Sequence, residues 1–277
     1  MVIGGRDFRW GVRTYVMGVV NVTPDSFSGD GIGHDFDAAV AQARRFAEEG
    51  ADIVDVGGES TRPPSVYKGA APITADEELG RVGPVLRRLA GKLDVPISID
   101  TRKARVAREA IAMGAALVND VSMLGDPEMA GTVAALGVPI VISHTRSRAE
   151  YADVVEEAAA DLRAAADRAI KSGVSPERVI VDPGIGFGKT AEQSLEMLRG
   201  VGRLKDLGFP VLIGTSRKSS IGAVLDVPPD QRLEGTAATV ALAIERGVDI
   251  VRVHDVTAMV RVARMADAVV RGWRAPA

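Results

Sequence analysis

The residues in this chain best placed to do chemistry lie in Val179–Thr190, which reads Val-Ile-Val-Asp-Pro-Gly-Ile-Gly-Phe-Gly-Lys-Thr. Val179, Ile180 and Val181 read as a short strand buried on both faces. The apolar run stops at Asp182, so a carboxylate stands at the carboxyl end of a strand, where α/β proteins bind ligands. Pro183 fixes the exit of the chain, and Gly184, Gly186 and Gly188 let backbone approach a ligand closely. Phe187 offers a flat apolar face and Lys189 a cation. The plain alternative is a strand-to-helix loop with a solvated acid. Two nucleotide-binding patterns nearly fit and fail. Gly184 to Lys189-Thr190 is one residue short of a Walker A spacing, and the glycines do not follow G-x-G-x-x-G. A ligand other than a nucleoside triphosphate is expected.

Other apolar runs end in the same way. Their polar termini are Asn21, Asp55, Asp100, Asn119, His144, Asp182, Lys218, and Arg252 with His254. The adjoining loops add Asp25, Thr61, Arg62, Phe187, Ser216 and Arg217. These divide by chemistry. Asp100, Asn119 and Asp182 suit the edge of a heterocycle rich in N–H groups. Arg62, Arg252, His254 and Asn21 suit phosphate oxygens or an ion that accompanies them. Each has a plainer reading as well. Asp100 and Asn119 could cap the helices that follow them. Asp55 could satisfy loop amides, and Arg217 and Lys218 could form a solvated turn.

The elements that must position these residues repeat along the chain. Strand patterns occupy Tyr15–Val20, Asp52–Val56, Ile97–Ile99, Ala116–Val118, Val138–Ile142, Val179–Val181, Val211–Ile213 and Asp249–Val253, and a helical pattern follows each. Asp126 reads as the N-cap of a helix at Pro127–Leu136, and Ala191–Leu207 reads as one helix. Eight strand–helix units without a linker predict an α/β fold, a (β/α)8 TIM barrel in one domain over residues 15–277. Residues 1–14 are a short N-terminal extension, with a hairpin as one reading. A doubly wound sheet is the alternative, but it usually has fewer strands. In a barrel, all eight strand ends share one mouth.

Composition sets the bounds. Of 277 residues, 46% are hydrophobic, which is enough for a sizeable core, while only 4% are aromatic. A formal net charge of -3 with no basic run argues against a nucleic-acid surface. There is no Cys, hence no disulfide framework and no thiolate metal site. No run is apolar and long enough to span a bilayer, and the first residues lack a signal pattern. A soluble, cytoplasmic protein is expected.

The motifs resemble one family. Asn21–Phe27 (Asn-Val-Thr-Pro-Asp-Ser-Phe), Gly57–Pro63 (Gly-Gly-Glu-Ser-Thr-Arg-Pro), Ser98–Thr101, Asn119-Asp120, Asp182–Lys189, Ser216–Ser219 and Arg252–Val256 stand in the order seen in dihydropteroate synthases. The resemblance runs from about Tyr15 onward. It implies a transferase of folate biosynthesis that joins 6-hydroxymethyl-7,8-dihydropterin pyrophosphate to para-aminobenzoate, releasing pyrophosphate. It also implies Mg2+ as cofactor and a homodimer, with no nucleic-acid or membrane partner.

By motif, the resemblance assigns Asp100, Asn119, Asp182 and Lys218 to the pterin. It gives Asn21 to a magnesium–pyrophosphate, and Arg62, Arg252 and His254 to the pyrophosphate oxygens. Thr61, Pro63, Phe187, Ser216 and Lys218 would line the aminobenzoate site with Phe27. Asp55, Arg217 and Ser219 join the substrate-binding set. Asp100, Asp182, Lys218 and Arg252 would carry the catalytic roles. Three departures stand out. Ser143 replaces the usual Met before His144. The first loop reads Ser28-Gly29-Asp30-Gly31. Pro64–Pro72 lengthens the second loop, where Tyr67 is the expected obstruction to sulfonamides. A pterin-dependent methyltransferase barrel is an alternative that would not need the phosphate-binding arginines or Ser216–Ser219. A paralogue that binds pterin without turnover is another.

Overall fold

A computed structural model of the chain describes residues 1–22, 36–59 and 72–273. Asp25, Phe27, the Ser28–Gly31 turn, Thr61, Arg62, Pro63, Tyr67 and the rest of residues 64–71 lie outside the described residues.

The chain opens with a hairpin. β1 (Val2–Ile3) and β2 (Arg6–Asp7) pair antiparallel. Gly4 and Gly5 make the turn at φ of 55° and 82°, a left-handed region that favours glycine. The remaining strands are short Val- and Ile-rich runs, which suits parallel strands buried on both faces. They are β3 (Tyr15–Asn21), β4 (Ile53–Gly57), β5 (Ile97–Asp100), β6 (Leu117–Asp120), β7 (Ile140–Ser143), β8 (Val179–Asp182), β9 (Leu212–Ile213) and β10 (Ile250–Val253). They form one parallel sheet in the order β8-β7-β6-β5-β4-β3-β10-β9. A parallel bridge between Val181 and Val211 joins its two ends, and there the Val181 N–H donates to the Pro210 carbonyl at 3.0 Å. The sheet therefore closes into the predicted barrel.

The outer ring is α1 (Phe36–Glu48), α2 (Ala75–Leu89), α3 (Ala104–Ala112), α4 (Met129–Leu136), α5 (Val154–Lys171), α6 (Ala191–Gly200), α7 (Ser219–Leu225), α8 (Leu233–Glu245) and α9 (Val256–Arg271). Capping fixes where several begin. Thr74 with Glu77 and Thr190 with Gln193 form reciprocal capping boxes, and the Asp153 carboxylate accepts from Val155 and Glu156 N–H groups. Among the described residues, no helix is long and apolar enough to cross a membrane.

Three elements differ from the sequence reading. Asp126 does not cap α4, whose N-cap is Glu128. One Asp126 oxygen instead takes the Ala104 N–H at the start of α3, at 2.8 Å, and the other takes the Glu128 N–H at 2.9 Å. The predicted helix over Ala191–Leu207 is α only to Gly200 and continues as a 3-10 segment, Val201–Leu207. Gly200 and Gly202 weaken α-helix there, and a Cβ on Gly200 would meet Val155 at 2.6 Å. α7 was not anticipated, because seven residues carry too little periodicity to announce a helix.

The core is in two parts, divided by the strands' period of two. Outward-facing Val54, Val56, Ile97, Ile99, Val118, Ile142, Val181 and Val253 pack against the helices. Inward-facing Met17, Ile53, Leu117, Val141, Ile180, Leu212 and Ile250 fill the barrel, and Ile3 and Phe8 of the hairpin close its lower end. Each such side chain stabilises by about 1.5–3 kcal/mol on burial.

Candidate active site

Two residues beyond the apolar plug, the inner faces of five strands turn polar. Ile53 is followed by Asp55, Leu117 by Asn119, Val141 by Ser143, Ile180 by Asp182, and Ile250 by Arg252. Residues i and i+2 of a strand share a face, so this layer lies directly above the plug, at the carboxyl ends. β5 adds Ser98 and Asp100. Register aligns Asn21, Gly57, Asp100 and Asn119 across four neighbouring strands. Gly57 leaves room for its neighbour, since a Cβ there would stand 3.3 Å from that of Asp100.

Arg252 ties the layer together. Its Nε donates to Asp55 Oδ2 and its Nη2 to Asp100 Oδ2, each at 2.7 Å. Asn119 Nδ2 donates to the same Asp55 oxygen at 3.0 Å. Three carbonyl-type oxygens then remain buried without a hydrogen-bond partner: Asp55 Oδ1, Asp100 Oδ1 and Asn119 Oδ1. The Ser98 hydroxyl is in the same condition. Leaving such groups unmade costs about 1–3 kcal/mol each. Their convergence marks a place that a ligand rich in N–H groups would satisfy.

Asp182 is held differently. Oδ1 accepts the Gly184 N–H at 2.8 Å, and Oδ2 accepts from the Ser143 hydroxyl at 3.1 Å. Ser143, read from sequence as the loss of an apolar contact, thus supplies a hydrogen bond to the acid opposite it. Burial raises the Asp182 pKa, against the Gly184 and Ser143 hydrogen bonds and the charges of Lys218 and Arg252. Asp100 is pushed up to about 7, chiefly by burial; Arg252 opposes the rise and Asp55 reinforces it. Burial makes Asp100 and Asp182 reluctant to ionise until a donor arrives.

The glycine-rich turn after β8 forms one wall. Gly184, Gly186 and Gly188 have φ of 64°, 79° and 58°. The turn lies on the backbone after β7: a Cβ on Gly184 would stand 1.8 Å from the His144 carbonyl oxygen, and one on Gly188 would stand 2.1 Å from that of Arg146. Phe187 is half-buried, and the Lys218 ammonium sits 4.3 Å from the centre of its ring, a cation–π arrangement. Lys189, expected to face the ligand as a cation, turns instead into the body of the loop. Its Nζ bonds to His144 Nδ1 at 2.8 Å and to the carbonyls of Gly184 and Phe187 at 3.1 and 3.3 Å.

On the opposite wall, the Ser216 hydroxyl accepts the His254 N–H at 3.2 Å and lies 3.0 Å from His254 Nδ1. With the hydroxyl proton directed to Nδ1, the ring proton is assigned to Nε2. Burial, then Arg252, Arg217 and Lys218, lower the His254 pKa to about 3, so the ring is neutral. Arg217 has φ of 58°. Its Nε donates to Asp255 at 3.0 Å and its Nη2 at 2.5 Å. Arg217 thereby latches the two loops together. Ser219 is exposed as the first residue of α7, and Asn21 is half-buried at the end of β3.

The structure thus brings Asn21, Asp55, Asp100, Asn119, Asp182, Phe187, Ser216, Arg217, Lys218, Ser219, Arg252 and His254 to one mouth. Asp100 and Asn119 are not helix caps, since Lys103 and Glu128 hold those positions. Phe27, Thr61, Arg62 and Pro63 lie outside the described residues. Sequence reasoning missed the active part of Ser143. It also missed Glu59, which is buried and pairs with Arg102 at 2.6 Å and Lys103 at 2.7 Å.

A family model described as "Pterin binding enzyme" matches residues 17–254. The chain belongs to the pterin-binding enzyme family. Within that family it is 46% identical, over 98% of its length and 100% of the relative's, to the dihydropteroate synthase of Clostridium beijerinckii. A crystal structure of the Clostridium difficile dihydropteroate synthase, obtained in the presence of pteroic acid, superposes with a TM-score of 0.90 at 48% identity, covering 96% of this chain and 100% of that one. The Xanthomonas albilineans enzyme in complex with 7,8-dihydropteroate superposes at 0.84 and 43% identity, over 93% and 94% of the two chains. The pterin-binding family thus shares both this barrel and nearly its whole length.

Proposed function

We propose that the chain is a dihydropteroate synthase, joining 6-hydroxymethyl-7,8-dihydropterin pyrophosphate to para-aminobenzoate. The observation that carries this reading is the set of buried, partnerless oxygens on Asp55, Asp100 and Asn119. The edge of a pterin bears a row of N–H groups, and such a row would meet those acceptors together with Asp182. A methyltransferase barrel is disfavoured by the phosphate-suited groups present beside them.

In this reading, the bond between the pterin methylene carbon and the pyrophosphate oxygen breaks. The carbon then takes the lone pair of the aryl amine, which gives up a proton. Once the pterin's N–H donors meet them, Asp182 and Asp100 would ionise, and their negative charge would favour the electron-deficient pterin methylene. The aryl amine is already nucleophilic, so a strong general base is unnecessary. His254 Nε2–H would donate to a pyrophosphate oxygen. Arg252 would act mainly through the acids it holds, because Nε and Nη2 are committed to Asp55 and Asp100. Lys218 and Phe187 would face the aminobenzoate, with Ser216 and Ser219 at the base of the same loop.

A magnesium ion fits here only in part through the protein. Among the described residues, no cluster of three His, Cys, Asp or Glu could hold a metal. Asn21 offers one hard oxygen, and magnesium commonly uses few protein ligands together with substrate phosphates. When bound, it would neutralise charge on the departing pyrophosphate. We also carry a homodimer and a cytoplasmic location as parts of this reading. Leu242 of α8, and Met265 and Val269 of α9, are exposed apolar side chains of the kind a dimer interface would bury. The net charge of -3 supports the absence of a nucleic-acid partner.

The test is pyrophosphate release with purified protein. The reading expects release from the pterin pyrophosphate only when aminobenzoate is also present, with dihydropteroate formed in equal amount. Binding of pterin without release would favour the non-catalytic paralogue.

A further inference from the structure

Behind the Gly184–Gly188 turn lies a partly buried polar cluster, centred on the fully buried His144, that the reaction above does not use. We propose that Lys189 is a positioning residue: its ammonium braces the turn that carries Phe187, and so sets the aminobenzoate side of the site. This rests on the function proposed above.

The geometry is specific. An ammonium has three N–H donors. Lys189 Nζ has three acceptors within reach: His144 Nδ1 at 2.8 Å, the Gly184 carbonyl at 3.1 Å and the Phe187 carbonyl at 3.3 Å. It therefore stitches both ends of the turn to one point. His144 is fully buried and passes the restraint outward, with Nε2 lying 3.1 Å from Asp161 Oδ2. Asp161 is gripped in turn by Arg146 Nε and Nη2, at 2.9 and 2.7 Å. Burial, then Lys189, lower the His144 pKa to about 4. The neutral ring accepts at Nδ1 and donates at Nε2. The Tyr151 hydroxyl donates to the Gly188 carbonyl at 3.0 Å and holds the far end of the turn.

Only the protonated amine satisfies all three acceptors. A neutral amine has two N–H donors, and its lone pair would face one of the oxygens or the ring nitrogen. The groups around Lys189 pull in both directions. Burial lowers its pKa, with Arg146 and Lys218 acting the same way; Asp182 and Asp161 oppose them, and the outcome is about 7. His144 and Tyr151 complete its surroundings. The brace is therefore expected to loosen as pH rises through about 7. Asp182 is anchored on the strand by Ser143 as well, so the pterin side should feel less of this than Phe187 does.

The test uses Lys189→Met, which keeps the side chain's length but none of its donors. The KM for aminobenzoate is expected to rise about tenfold at pH 6, with the affinity for a bare pterin nearly unchanged. The wild-type KM for aminobenzoate should climb between pH 6 and 8.5, and the variant's should be flat. An unchanged KM together with a retained pH limb would overturn the proposal. If Lys189→Met does not fold, Asp161→Asn decides. It leaves the three acceptors in place and removes an opposing charge, so the limb should move to lower pH, and a limb that stays overturns the brace. Hydrogen exchange of residues 183–188 separates this proposal from the function it rests on. With no turnover in the wild type, faster exchange in Lys189→Met keeps the brace and sinks the proposed function. Equal exchange sinks the brace.

Discussion

At the scale of single residues, the site depends on Asp100 and Asp182, two acids whose ionisation burial opposes. Asp100 shows the consequence for stability. Its pKa is about 7 in the folded chain, well above the ordinary 3.8 of an aspartate, chiefly because it is buried. The folded state therefore binds this proton more tightly, and that contribution is complete below the unfolded pKa. It is lost as pH rises through about 7. Asp100→Asn should remove that loss. Between pH 4 and 8 the variant should lose less stability than the wild type, by an amount on the order of a few kcal/mol. Urea unfolding at several pH values measures it, and parallel curves would contradict the burial argument. Asp182, Asp100 and Asn119 were legible because each ends an apolar run. The hydroxyl of Ser143 was not. Its partner lies 39 residues away in sequence, and only the pairing of β7 with β8 brings the two together. Arg252 was legible as a cation at a strand end, whereas its engagement with Asp55 and Asp100 depends on the barrel's curvature.

At the scale of elements, the hairpin and the glycine-rich turn make the clearest demands. Ile3 is fully buried within the barrel's inner cluster. Ile3→Ala should cost about 2–5 kcal/mol. Denaturant unfolding would register it as a lower midpoint, while pterin affinity in the folded protein stays the same. A midpoint unchanged within error would mean that the hairpin does not close the barrel. Gly184→Ala attacks the mouth instead. Its φ is 64° and its Cβ would overlap the His144 carbonyl oxygen at 1.8 Å. The turn must shift, at a cost of at least about 1–3 kcal/mol, and both pterin binding and turnover should fall. Calorimetry with near wild-type affinity would argue against close packing of this turn. Strands and long helices were legible from period and punctuation. The hairpin's role was not, because Ile3 and Phe8 are isolated apolar residues with no pattern to show what they cover. Asp126 was read as a local cap because the competing N–H, that of Ala104, belongs to a different helix.

At the scale of the whole molecule, the number of strand–helix units foretold a closed barrel, and the Val181–Val211 bridge closes it. The layering inside was also written in the sequence, as an apolar residue followed two positions later by a polar one on five strands. It becomes visible as a layer only once the sheet is closed. The central claim is that this polar layer, above the apolar plug, is the seat of the pterin ring. Calorimetric titration of a bare pterin into the wild type and Asp182→Asn tests it most directly. A carboxylate accepts two N–H bonds from a guanidine-like edge, while an amide accepts with one oxygen and opposes the second with a donor. Charge-assisted bonds are worth about 1.5–3 kcal/mol, so the variant should bind roughly ten- to a hundredfold more weakly, with its unfolding midpoint no lower than the wild type's. Equal affinity in the two proteins would place the pterin elsewhere and contradict the account.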